Sequence, residues 1–212
     1  LLNYYGEPEW QPLIPPLDLL IATIISQNTN DKNRDIAFQR LKERFPNWKV
    51  AAESNVAEII SAIRPAGLAL QKAQRIKELL NDILANAERM RLKEGEELDF
   101  LKLMNVEDAK KWLLSHKGIG PKTAAIVMLF SLDMPAFPVD THVYRVTGRL
   151  GLRSKQMNIV QTHEFLESIF QREVYAAVHL NLIRLGREIC QARKTFCERC
   201  PLNELCETVK NR

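Results

Sequence analysis

Apolar residues recur every three or four positions along almost the whole chain, and no sustained alternation of apolar and polar residues appears. That periodicity predicts helices throughout, about ten of them, and no sheet. "PPLDLLIATIIS" reads as a buried helix after a proline start, and "DKNRDIAFQRLKERF" as an amphipathic one ending at Pro46, with Ile36, Phe38, Leu41 and Phe45 towards one face. "SNVAEIISAI" begins on a Ser or Asn cap and stops near Arg64-Pro65, and "ALQKAQRIKELLNDILANAERM" is one long amphipathic helix. "VEDAKKWLLS" and "PKTAAIVMLFSL" flank a glycine loop, and "THVYRVTGRLG" and "EVYAAVHLNLIRLGREIC" supply further helices. The charged stretch "RLKEGEELDFLKLMN" breaks the pattern and reads as a surface connection or a short extra turn. The fold class is all-α.

Composition narrows the class. With 212 residues, 46% of them hydrophobic, the chain can bury a real core as one large domain or two small lobes. A net charge of +4 permits a polyanionic partner without demanding one. No apolar run reaches the roughly 18 residues that suggest a membrane span. The start, "LLNYYGEPEW", carries no basic region followed by an apolar stretch, so no signal peptide is read there, and a cytoplasmic location is the expectation.

Candidate chemistry begins at "HKGIGPKTAA". Gly118 and Gly120 permit a very tight turn, and their bare backbone lets the amides of Gly118, Ile119 and Gly120 approach an anion such as a phosphate. Pro121 suits the first position of the following helix. The same turn also serves as a plain link between two antiparallel helices. Lys122 shifts the balance. A cation in the first turn opposes the helix dipole at a cost of about 0.3–1 kcal/mol, where a structural design would place Asp or Glu. The same field favours the neutral amine, which is a nucleophile. Lys117 adds a second cation to the loop.

Asp140, after Pro138-Val139, is placed to cap the next helix. The intervening helix and a short return loop bring it back towards Lys122, where a carboxylate can take a proton or stabilise positive charge on a sugar. His142 reads as a hydrogen-bonded residue of the same first turn and as a candidate DNA contact.

All four cysteines, Cys190, Cys197, Cys200 and Cys206, lie in one C-x6-C-x2-C-x5-C run. Crowding suggests one shared ligand rather than disulfides that staple distant segments. Zinc and a [4Fe–4S] cluster both remain open on spacing, although zinc sites more often come as two close pairs. Between the first two cysteines, Arg193 and Lys194 sit on a short loop as solvated charge or as a rigid phosphate grip.

Taken together, "LLIATIISQNTND", "IRPAGLALQKAQRI", "GIGPKTAAIVMLF", "FPVDTHVYRV" and the cysteine run resemble the endonuclease III family of helix-hairpin-helix DNA glycosylases. The likeness spans about Leu17 to Cys206, nearly the whole chain. It implies a six-helix domain over residues 13–134, with the hairpin near 107–132. A second lobe comes from residues 1–12 and 135–212, with the cluster loop at 190–206, and DNA lies in the cleft between the two.

The resemblance further implies a [4Fe–4S] cofactor, catalytic roles for Lys122 and Asp140, and damaged double-stranded DNA as the partner of a monomer near the nucleoid. The implied reaction releases an oxidised or damaged pyrimidine through a lysine Schiff base, followed by β-elimination at the abasic site. Gln27 or Asn28, with Asn28 at the family's glutamine, and Leu68 would fill the gap left by an extruded base. A helix end at Gln27-Asn28 and a core position for Leu68 are the plain alternatives.

The chain departs from the family at His116-Lys117, where Leu-Pro is usual, and in the charged segment after Met90. Two other functions are to be weighed. A monofunctional mismatch glycosylase removing adenine or thymine typically lacks the lysine. A non-catalytic redox-sensing DNA-binding module would leave Lys122 and Asp140 without a task.

Overall fold

A computed structural model describes residues 1–9 and 14–211. They form twelve α-helices joined by loops and 3₁₀ turns, with a single isolated β-bridge among the described residues, Cys190 to Thr195. In chain order the helices are α1 (Leu2–Tyr5), α2 (Pro16–Ser26), α3 (Asp31–Arg44), α4 (Trp48–Glu53), α5 (Val56–Ile63) and α6 (Ala69–Met90). They continue as α7 (Val106–Leu114), α8 (Pro121–Phe130), α9 (Thr141–Leu150), α10 (Ile159–Ile169), α11 (Tyr175–Glu188) and α12 (Glu207–Lys210). No described helix is long and apolar enough to cross a membrane.

The start signals are chemical. Asn30, Asn47, Asn55, Asn105, Asp140 and Asn158 each cap a helix by accepting a hydrogen bond from a backbone N–H in its first turn. Asn55 and Asn158 complete the device, with Glu58 and Gln161 reaching back to the cap's own N–H. Such a cap contributes about 0.5–2 kcal/mol relative to alanine.

The chain divides into two compact units, Leu13–Val127 and the combination of Leu1–Pro12 with Met128–Arg212. The boundary expected between residues 12 and 13 lies outside the described residues. In the first unit, α5 packs on both α3 and α6, α2 closes on the same pair, and α4 packs on α6. Leu20, Ile24, Leu41, Ile63, Ile76 and Leu80 are fully buried between them. In the second unit, α9 packs along α11 around Phe137, Val143, Val146, Leu166, Leu182 and Leu185.

Two features differ from the sequence expectation. α1, α4, α10 and α12 were not anticipated: α1, α4 and α12 span four to six residues, and α10 buries Thr162 and His163 beside Leu166, so no apolar stripe marks it. The charged segment after Met90 does make a short 3₁₀ turn, Asp99–Leu103, but it is not a mere surface link. Leu98, Phe100 and Leu101 are buried, and the Phe100 ring meets Trp112 of α7 edge-on at 5.1 Å. Two leucines in this turn give an internal control. Leu101→Ala is expected to cost about 2–5 kcal/mol in chemical unfolding, from lost burial plus a cavity. Leu103→Ala, at a side chain 91% exposed, should stay within about 0.5 kcal/mol. Equal effects at the two positions would show the segment to be unpacked.

Candidate active site and cysteine centre

Geometry in the first unit starts from the turn between α7 and α8. The Ser115 hydroxyl donates to the Trp112 carbonyl at 2.7 Å, and His116 Nδ1 lies 2.9 Å from the same oxygen. Ile119 is buried, and its N–H donates to the His116 carbonyl at 3.1 Å. That bond closes the turn.

Gly118 has φ +92° and lies against α6; a Cβ there would stand 2.1 Å from Arg75 Cδ. The backbone angle favours glycine, and a side chain there would have to displace that of Arg75. Lys117 is fully in solvent and pairs with exposed Glu78 at 3.6 Å, so its charge is partly answered within the chain.

Pro121 opens α8, and Lys122 follows in the first turn, exposed. Beside it, Thr23, Ser26, Gln27, Gly118, Ile119, Gly120, Lys122 and Thr123 line an open concavity of about 490 Å³. Gln27 is held at both ends of its amide. Arg75 Nη1 donates to its Oε1 at 2.8 Å, and its Nε2 donates to the Gly118 carbonyl at 3.4 Å. Asn28, next along, is exposed and adopts φ +54°. Leu68 is 54% exposed at φ +50°, so it is not the core residue of the plain alternative. Non-glycine residues at positive φ are uncommon, and such strain concentrates at functional loops.

In the second unit, Asp140 caps α9. Its Oδ1 accepts from the N–H groups of His142 at 2.9 Å and Val143 at 2.8 Å, so the cap uses one oxygen and leaves Oδ2 out. The extended segment leading into it is tied down by side chains that carry no sequence motif. Glu167 accepts from the Phe137 N–H at 2.9 Å. His163 Nδ1 lies 2.7 Å from the Phe137 carbonyl, and His179 Nδ1 lies 2.8 Å from that of Pro138. A carbonyl only accepts, so each of these Nδ1 atoms carries its proton.

His142 is half-buried, with Nδ1 3.1 Å from Arg145 Nη2. Burial holds its pKa below the ordinary histidine value, with Asp140 opposing and Arg145 adding to the shift. The sequence placed it in the cap's first turn, and the structure also gives it a fixed internal partner.

The four cysteines are free thiols lining one cavity of about 280 Å³. No set of three or more His, Cys, Asp or Glu among the described residues is gathered about one point as a single metal ion requires. Burial pushes the Cys200 thiol up, and the charges of Cys190, Cys206 and Cys197 push the same way, against a backbone hydrogen bond at Leu202. Arg149 on α9 organises the loop. Its Nη1 donates to the Gln191 carbonyl at 2.7 Å and lies 3.4 Å from Cys190 Sγ, while its own carbonyl accepts from Cys206 Sγ at 3.3 Å. Arg193 and Lys194 are exposed on this loop, and the Lys194 ammonium sits 4.8 Å above the Phe196 ring.

Residues 21–172 match the helix-hairpin-helix HhH-GPD superfamily of base excision DNA repair proteins, and the chain belongs to that family. Within it, the likeness runs to endonuclease III. The endonuclease III of Sulfolobus acidocaldarius is 35% identical over 203 residues, 91% of this chain and 83% of that protein. A solved non-covalent endonuclease III–DNA complex superposes with a TM-score of 0.82 at 27% identity, covering 100% of this chain and 92% of the other. A trapped endonuclease III–DNA covalent intermediate aligns with the same score, identity and coverage.

Asp140 can be split into its two jobs by substitution. Asn caps helices as well as Asp, so Asp140→Asn should hold thermal stability while Asp140→Ala loses about 1 kcal/mol. Base release from damaged duplex is expected to fall in both. Full activity in Asp140→Asn would leave the residue as a cap alone.

Proposed function

We propose that this chain is a DNA glycosylase that removes damaged, oxidised pyrimidines from duplex DNA and then cleaves the abasic site as a lyase. The observation that carries the reading is the exposed Lys122 amine in the first turn of α8, opening onto the concavity beside the Gly118–Gly120 turn. Support for a covalent step comes from the endonuclease III neighbour trapped on DNA.

The sugar carbon is out of reach while the base is stacked, so the reaction starts with extrusion of the damaged nucleotide. Asn28, with its side chain in solvent, and Leu68 fill the vacated stack, while Gln27 remains latched to Arg75 and the hairpin. Lys122 Nζ attacks C1′ as the C1′–N bond breaks, and the departing base takes a proton. Loss of a proton from nitrogen and opening of the sugar ring give the Schiff base. Removal of a C2′ proton then expels the 3′ phosphate, and water releases the lysine. Asp140, through the oxygen its cap does not use, assists these proton transfers and stabilises charge on the sugar. Lys117, Arg193 and Lys194 add cations for the phosphate backbone, whose grip weakens with salt.

The cysteine centre fits a [4Fe–4S] cluster. A four-iron cluster takes one thiolate at each iron, and four free thiols lining one cavity offer that donor set. Cys190, Cys197, Cys200 and Cys206 would hold it, and when bound it would cross-link their segment and make the Arg193–Lys194 loop rigid.

Two measurements check this reading. Lys122→Ala is expected to lower nicking of a thymine-glycol duplex by about 100-fold or more while leaving DNA binding within about threefold. Retained nicking removes Lys122 from the reaction. Base release without nicking in the unaltered protein would instead favour the monofunctional glycosylase. Purified protein should carry roughly four irons per chain and absorb broadly in the visible. A colourless protein with one zinc contradicts the cluster.

A further inference from the structure

The loops that carry Asn28 and Leu68 follow different helical segments, yet both stems are tied to one buried ammonium. Lys72 on α6 is 2% exposed. Its Nζ donates to the Ile25 carbonyl at 2.8 Å and to the Ala66 carbonyl at 2.9 Å. Ile25 lies in the last turn of α2, just before Ser26, Gln27 and Asn28. Ala66 ends the 3₁₀ turn Arg64–Ala66, just before Gly67 and Leu68. Each loop then turns through a non-glycine residue at positive φ, Asn28 at 54° and Leu68 at 50°, and both side chains stand exposed.

A methionine would fill the same core space without the desolvation cost of a buried charge. Burial holds the Lys72 pKa below lysine's ordinary value, which measures that cost in direction. What an ammonium provides and a thioether cannot is several donors diverging from one atom. Here the donors take carbonyls from the ends of two helical segments, where backbone oxygens lack intrahelical partners and a cation is favoured. Lys72 occupies the buried stripe of α6, four residues before Ile76.

We propose that Lys72 is a positioning residue that sets the spacing of the two loop stems, so that Asn28 and Leu68 enter the DNA stack as one unit. The proposal rests on the glycosylase reading for its consequence, but the coupling itself belongs to the free protein and is tested there. Hydrogen–deuterium exchange on the full-length Lys72→Met variant is expected to loosen residues 26–30 and 66–70 together, by about tenfold or more, with α11 unchanged. Lys72→Arg keeps a cation with several donors and should restore protection in both loops.

The consequence is read from two DNAs. In Lys72→Met, base release from a damaged duplex should fall about tenfold or more, because the base must be extruded and its place filled. Nicking of an abasic site in a single strand, where nothing is stacked, should fall less than about twofold. Exchange that loosens in one loop only, or in neither, overturns the coupling. Equal losses on the two DNAs overturn the positioning role. If the unaltered protein neither releases bases nor nicks, the glycosylase reading fails, and the exchange result still judges the coupling. Should Lys72→Met not fold, Lys72→Gln is read by the same rule in exchange.

Discussion

The turn between α7 and α8 meets α6 at Gly118, where the lack of a side chain leaves room for that of Arg75. A Cβ there would collide with Arg75, and the backbone angle is one that other residues rarely adopt. Much of the first unit's site follows from this contact. With the turn seated, Ile119 anchors it in the core, Pro121 starts α8, and Lys122 emerges in the helix's first turn with its amine in solvent. Arg75 lies against Gly118, and its guanidinium also holds Gln27, whose amide reaches the Gly118 carbonyl. One close approach of backbone to helix thus joins the hairpin to the loop after α2.

A related device recurs in both units: side chains place functional segments by bonding to their backbone. Lys72 takes two carbonyls at the stems of the loops carrying Asn28 and Leu68. His163, Glu167 and His179 hold the extended run into Asp140, where no helix or sheet satisfies the backbone. Arg149 gathers the cysteine loop through the Gln191 and Ala192 carbonyls. A loop held this way keeps its shape whatever its own side chains are, which leaves Asn28, Leu68 and Arg193 free to face a ligand.

What the sequence disclosed and what it hid follow the same division. The long helix α6 was legible end to end because its apolar stripe runs for many turns. Asp140 was legible as a cap because capping is a local act, completed within three residues. The cysteine run spoke through spacing alone. By contrast, Lys72 and Arg75 look like the ordinary cations of an amphipathic helix, and their partners lie tens of residues away. The one local signal was the position of Lys72 on the apolar stripe. α4 was too short for periodicity to register, and α10 buries Thr162 and His163 beside Leu166 while Ile159, Val160 and Ile169 stand exposed, so no apolar stripe marks it.

The account stands on a covalent bond between one amine and deoxyribose. Incubation with damaged duplex in the presence of borohydride, followed by peptide mapping of the reduced adduct by mass spectrometry, examines it most directly. A sugar remnant on the peptide that contains Lys122, and on no other lysine, is the expected result. An adduct at Lys117, Lys72 or Lys194, or efficient base release with no adduct at all, would contradict it.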